Sequence, residues 1–201
     1  PAISSSQYAH SYIQLPQSSK QQYILQAQRV YELLQVHEVE YEGRSSPQAF
    51  ALVLQRARVI VQGAQYMSDL NDWHPTIQAN QQREEFMAEN IAWLHEHADG
   101  GSKLVIWAYD LHIARLKQGS YTRMGMYLLQ RYHSQYVPIG LSFYQGSFNT
   151  VGVDNTGQQF TPFQSFTVQA SKPDSYNDTF GRVGFSLYAL DLRHIPGGSI
   201  G

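Results

Sequence analysis

Two groups of side chains in this chain have the types and spacing for proton and hydrogen-bond chemistry. The first is the loop Tyr109-Asp110-Leu111-His112, which follows the apolar run from Lys103 to Ala108 (KLVIWA). In α/β sheets, ligands collect beyond the carboxyl ends of the strands, where this loop should lie. An imidazole there can serve as general acid or base near neutral pH, and Asp110 can orient it or move a proton itself. Spacing alone leaves the ordinary alternative open, because a histidine after a strand is more often packed or solvated than catalytic. The second group is Arg83, Glu84, Glu85 and Glu89. On a helix Glu85 and Glu89 share a face, whereas Arg83 and Glu89 do not quite. Two carboxylates beside an arginine can raise one pKa and keep a proton available. A solvated, salt-bridged helix face accounts for the same residues.

The other histidines offer less. His95 and His97 flank Glu96 near a helix end, where the dipole favours positive side chains. Their spacing of two turns the rings to different sides, unlike the i, i+4 pairs that bind zinc, so no metal is expected there. Trp73-His74 reads as a turn between helices, and His133 and His194 have no partner nearby in sequence. The chain has no cysteine, which excludes disulfides, thiolate metal sites and thiol nucleophiles. No cofactor is called for.

Around these residues the chain is globular in composition, with 42% hydrophobic and 13% aromatic residues, too apolar for a disordered segment. Its 201 residues suit a single domain with a sizeable core. The formal charge of -2, with no run of Lys or Arg, gives no reason to expect nucleic acid as a partner. No apolar stretch approaches the roughly 20 residues that span a bilayer, and no charged-then-apolar leader opens the chain, so no membrane partner is expected. A cytoplasmic location is the resulting expectation. Zero cysteine suits exported proteins as well, and the first residue, Pro1, suggests a start inside a longer polypeptide.

The elements that must position the two groups follow from periodicity. Residues 1–18 read as an irregular arm. Ser19 is a candidate N-cap for a helix carrying Tyr23, Ile24, Ala27, Val30, Tyr31 and Leu34 and ending near His37. Glu38 to Ser46 reads as a connection. Ser46-Pro47 should open a second helix, with Phe50, Val53, Leu54, Ala57, Val59, Ile60, Ala64 and Met67 on its apolar face. A third runs from about Thr76 to Ala98, with Phe86, Met87, Ile91 and Leu94 on one side, and stops at Asp99-Gly100-Gly101. Lys103 to Ala108 has the pattern of a strand buried on both faces, as in a parallel sheet. A short helix is expected over Met124 to Tyr132. Further strands are expected over Tyr136 to Phe143, Phe148 to Val153, Phe166 to Gln169 and Phe185 to Leu192. The fold class is α/β, a mostly parallel or mixed sheet flanked by long helices. Its division is an arm (1–18), a helical part (19–98) and an α/β part (99–201).

Arg83 to Leu94 reads REEFMAENIAWL and Leu104 to Arg115 reads LVIWAYDLHIAR; then come MGMYL from Met124 and YVPIGLSFYQGSF from Tyr136. This ordered set resembles the erythromycin esterase family. That family shows an R-(D/E)-x-x-M-A-x-N-x-x-W-L helix, a W-A-H-N-x-H-(I/V) strand and loop, then M-G-x-x-L, Y-x-x-I-G and G-x-F steps. Tyr188 to Arg193 resembles its closing run ending D-L-R. The wording is specific over 83–193; the earlier helices match only in pattern.

The resemblance implies a metal-independent hydrolase in which histidine activates water against an ester or lactone, a macrolide in the best-known members, whose hydrolysis gives antibiotic resistance. It implies catalytic roles for His112 and Arg83, with Glu84 beside them, and contact of Tyr109, Asp110 and Glu89 with substrate. Two departures stand out. Tyr109 replaces the first histidine of the family's pair and Asp110 the asparagine after it. The family's early G-E-x-x-H-G segment, which supplies its general base, has no counterpart here; Val36-His37-Glu38-Val39 is the nearest string. A binding or structural module without chemistry, or a sugar-ester hydrolase, therefore remains open beside the macrolide reading. A sheet face left bare by a missing half would favour pairing with a second copy.

Overall fold

In the computed structural model, residues 11–71, 74–119, 121–153 and 160–193 are described. Trp73, His194 and residues 1–10 of the expected arm lie outside them. The chain divides into two compact units, Pro1–Gly140 and Leu141–Gly201.

Residues 11–13, expected in an irregular arm, are helical, and α1 (Gln17–Val36) follows, starting two residues before Ser19 with Pro16 at its cap position. Ile24, Ala27, Tyr31 and Leu34 turn inward at the expected spacing, while Tyr23 and Val30 stay exposed. The segment expected to be a connection is instead a two-turn helix, α2 (Glu38–Arg44). Glu38 and Glu40 in its first turn and Arg44 in its last complement the helix dipole, which a reading of Gly43 and the polar residues as loop signals overlooks.

Helix α3 (Pro47–Ser68) starts where Ser46-Pro47 predicts, with the Ser46 hydroxyl accepting the Ala49 N–H at 3.2 Å. It buries Phe50, Ala57 and Val61, but Val53, Val59 and Ile60 face outward. A short antiparallel pair, β1 (Leu70–Asn71) and β2 (His74–Pro75), leads into α4 (Ile77–Glu96), whose N-cap Thr76 accepts the Ala79 N–H at 3.0 Å. The seam between α3 and α4 is polar. Gln55 donates to Asn90 at 2.7 Å, Asn90 to Gln62 at 3.0 Å, and Gln62 and Arg58 both donate to Glu89.

The opposite stripe of α4 carries Ala88 and Ala92, whose small side chains let α6 (Met124–Tyr132) approach closely. Ala88, Met124 and Leu128 form the centre of this core, with Met87, Ile91, Ile106, Ala108, Ile113 and Tyr136 packed around it. Between α4 and α6 lie the single turn α5 (Asp110–Ile113) and the antiparallel pair β3 (Lys117–Gln118) and β4 (Tyr121–Thr122). A 3-10 turn (His133–Gln135) follows α6.

In the second unit, β5 (Gly146–Val153) and β6 (Phe160–Val168) form an antiparallel hairpin with Phe148 opposite Phe166 and an irregularity between Val151 and Val153. The two rings stack with centroids 6.0 Å apart. Helix α7 (Tyr176–Gly181) is capped by Ser175.

The protein is thus a mixed helix-and-sheet chain, but its sheet differs from the expected one. All strand pairs among the described residues are two-stranded and antiparallel; none is parallel. The segments 103–108, 136–143 and 185–192 form no ladder. Burial nevertheless alternates along the first of them: Ile106 and Ala108 sit on the core, whereas Val105 and Trp107 are 89% and 88% exposed. The expected burial on both faces therefore does not hold, and among the described residues no strand pairs with this segment. Among these residues, no helix is long and apolar enough to cross a membrane.

Candidate active site

The side chain at the centre of the first unit is Glu84, 1% exposed. It occupies the stripe of α4 that Ala88 and Ala92 continue, so it points toward α6 rather than into solvent. A buried carboxylate is tolerated only if its lone pairs are taken up. Those of Glu84 are. The Met124 N–H at the open end of α6 donates to it at 2.9 Å, Arg123 Nη1 at 3.1 Å and the Tyr121 hydroxyl at 3.3 Å. His112 Nδ1 lies 3.0 Å from both carboxylate oxygens. Arg123 has no capping side chain of its own to offer α6, so Glu84 caps that helix from across the core.

Burial alone would raise the Glu84 carboxyl, but the Met124 N–H, His112 and Arg123 outweigh it and hold it below its ordinary value. The same burial, with the negative charge of Glu84 beside it, pushes the Tyr121 hydroxyl up, so Tyr121 is a donor here. The Arg123 guanidinium lies 4.4 Å from the Tyr121 ring centroid, which fixes that side chain in turn.

The imidazole of His112 is held between two charged groups. Its Nδ1 faces a carboxylate and must donate; its Nε2 faces Arg83 Nη1 at 3.2 Å and must accept, since a guanidinium has no acceptor. The ring is therefore the neutral tautomer with its proton on Nδ1 and its lone pair on Nε2. The His112 side chain keeps 21% of its exposure, so the ring can be reached while its partner Glu84 cannot.

The turn that carries this ring is shaped by contact with α6. Tyr109 caps α5, and its carbonyl accepts the His112 N–H at 2.8 Å. The Ile113 carbonyl lies against Gly125, where an added Cβ would come within 2.1 Å of the oxygen. The glycine of the M-G pair is thus required for α5 and α6 to meet. Gln81 fastens the other side, accepting the Thr122 N–H at 2.7 Å and donating to the Thr122 carbonyl and the Tyr127 hydroxyl.

Of the residues singled out in the sequence, His112, Arg83 and Glu84 come together. Glu84 holds the His112 ring at Nδ1, and Asp110 sits exposed in the first turn of α5. The Tyr109 ring meets that of His112 edge-on, with centroids 6.3 Å apart. Glu89 turns away to Arg58 and Gln62 on α3, and Glu85 is exposed, so no pair of carboxylates forms at the imidazole. His97 stacks on Trp93, His95 packs edge-on against Tyr132, and Glu96 pairs with Arg131. His37 bonds Glu40.

Sequence reasoning missed Arg123, Tyr121 and Gln81. The signal that could have found Glu84's burial is its step of four from Ala88 and eight from Ala92, a carboxylate in an apolar stripe.

Compared with known proteins, residues 2–199 match the family model of erythromycin esterase. The chain matches no curated protein and no solved structure.

Proposed function

The chain belongs to the erythromycin esterase family, and from that premise we propose that it provides the His112–Glu84–Arg83 part of a site hydrolysing an ester or lactone. The observation that carries the reading is the setting of His112, with Nδ1 3.0 Å from a buried carboxylate and Nε2 3.2 Å from Arg83 Nη1. A buried carboxylate that fixes the far nitrogen leaves the near one basic and aimed, the arrangement a proton-transfer histidine needs.

In this reading the Arg83 guanidinium turns from Nε2 to the substrate carbonyl, and a water takes its place at Nε2. That water attacks the ester carbonyl carbon and gives its proton to Nε2 as the new C–O bond forms. The carbonyl oxygen becomes an oxyanion, and the Arg83 guanidinium donates to it. The carbon–oxygen bond to the leaving group then breaks, and the departing alkoxide takes the proton back from Nε2, giving an acid and an alcohol. Glu84 stays ionised throughout and balances the imidazolium. Tyr109 and Asp110 flank the ring and contact substrate; Glu89, engaged on α3, does not.

Hydrolysis of a chromogenic short-chain ester tests the reading. His112→Ala should lower kcat/KM by about 100-fold or more, the usual contribution of a positioned acid–base group. An unchanged rate would remove His112 from the chemistry. A second reading, a binding module that keeps the fold without hydrolysis, is favoured by Tyr109, a poor base where the family has histidine. A macrolide, a sugar ester and other lactones stand equal as substrates, and antibiotic resistance follows only from the first.

A further inference from the structure

We infer that Arg83, beside the His112 ring, forms a seat for a carboxylate anion, so that the site retains the acid released by hydrolysis. The inference rests on the hydrolytic reading for the origin of the ligand, but not for its binding.

The argument is one of unmet charge. Three charged side chains meet around the imidazole: Arg83, Arg123 and Glu84. Glu84 already accepts from Arg123, Tyr121, His112 and the Met124 N–H, and has no lone pair to spare for a second guanidinium. Among the described residues no carboxylate pairs with Arg83. The acceptor that it meets is a neutral ring nitrogen, which uses one of five N–H donors. Arg83 is half-buried, so bulk water does not fully take up the remainder. The cluster consequently carries one positive charge in excess on the side of Nε2.

A guanidinium fork matches the two oxygens of a carboxylate, and one excess charge matches its single negative charge. A phosphate, with more charge and three free oxygens, would call for more donors than the one Arg83 fork supplies. The acid half of a cleaved ester is such an ion, formed at the carbonyl that Nε2 faces.

The test follows the His112 ring by NMR in the intact chain while sodium acetate or benzoate replaces sodium chloride at constant ionic strength. A saturable shift of the ring resonances is expected with either carboxylate. Arg83→Gln should weaken it at least tenfold, and Arg83→Lys, which keeps the charge and loses the fork, should fall between. Arg131→Gln, an exposed arginine paired with Glu96, should leave it unchanged. A wild-type ring that responds to acetate no more than to chloride overturns the inference, whatever the variants do. So does a response that survives Arg83→Gln. The two readings fail separately. Acetate binding without ester hydrolysis leaves the seat and removes the hydrolase; hydrolysis with no response to acetate leaves the hydrolase and removes the seat.

Discussion

Replacing Glu84 with glutamine keeps the shape of the side chain and removes its charge. The amide oxygen can still accept, but the amide nitrogen now faces donors that Glu84 holds. These are either the Met124 N–H at the place of Oε2 or Arg123 and Tyr121 at that of Oε1, with His112 Nδ1 beside both. Arg123 is left beside a neutral group. Breaking a buried ion pair from one side costs about 3–5 kcal/mol. Arg123 keeps 22% exposure and can rehydrate in part, which places the expected loss near the lower end, about 3 kcal/mol. For a chain of this length that is a fall in Tm of roughly 6–12 °C. All three tryptophans lie in the first unit, so urea unfolding followed by fluorescence reads the relevant part of the molecule. The midpoint should fall with m unchanged. The variant should also lose a pH dependence. The Glu84 carboxyl is held below its ordinary 4.5, so its stabilisation is complete above that pH and is lost as pH falls through the lower folded value. Wild type should approach Glu84→Gln in stability on acidification below pH 4.5. A loss under ~1 kcal/mol at neutral pH would refute the view that this carboxylate is the anchor of the site, since that is no more than an exposed pair contributes.

Two pairs of variants test the packing around the site. Gly125→Ala forces a Cβ against the Ile113 carbonyl and should cost about 2–3 kcal/mol, with a displaced His112 resonance. Gly43→Ala, inside α2 with open space around it, should instead stabilise by about 0.5–1 kcal/mol, both read by thermal unfolding. Leu128→Ala should cost about 2–5 kcal/mol, because the side chain is wholly buried in the core. Trp107→Thr should change stability by less than about 0.5 kcal/mol and reduce binding of a hydrophobic dye, since the indole is exposed.

How much could be read from the sequence follows the range of the interactions. Ser46-Pro47 and Thr76 mark helix starts because a cap is decided within three residues, and both hold. Glu38–Arg44 was readable only through its end charges, which are weaker signals than the glycine that argues against them. On α4, Met87 and Ile91 pack on the core as their spacing predicts while Leu94 is exposed; Ala88 and Ala92 look less apolar than either, yet small side chains are what a close helix crossing selects. The juxtaposition of Arg83 and His112, 29 residues apart, could not come from spacing; the family resemblance supplied it. Tyr121 and Arg123 sit in a two-residue strand and a cap position, where local pattern carries almost no information. The unbroken apolar run of Lys103–Ala108 suggests a strand but not which side chains are covered, because a ladder is a property of two segments, and one segment does not announce the other.

The bare row of Val105 and Trp107 runs directly into Tyr109 and the turn that presents His112. A lone ribbon with wet, greasy side chains is adhesive, so concentrated solutions should cloud before warm ones do. Adhesion and acid–base chemistry share one short stretch of backbone. Whatever lies along that ribbon grips the stem of the imidazole, and its hold on the ring will be felt five residues away.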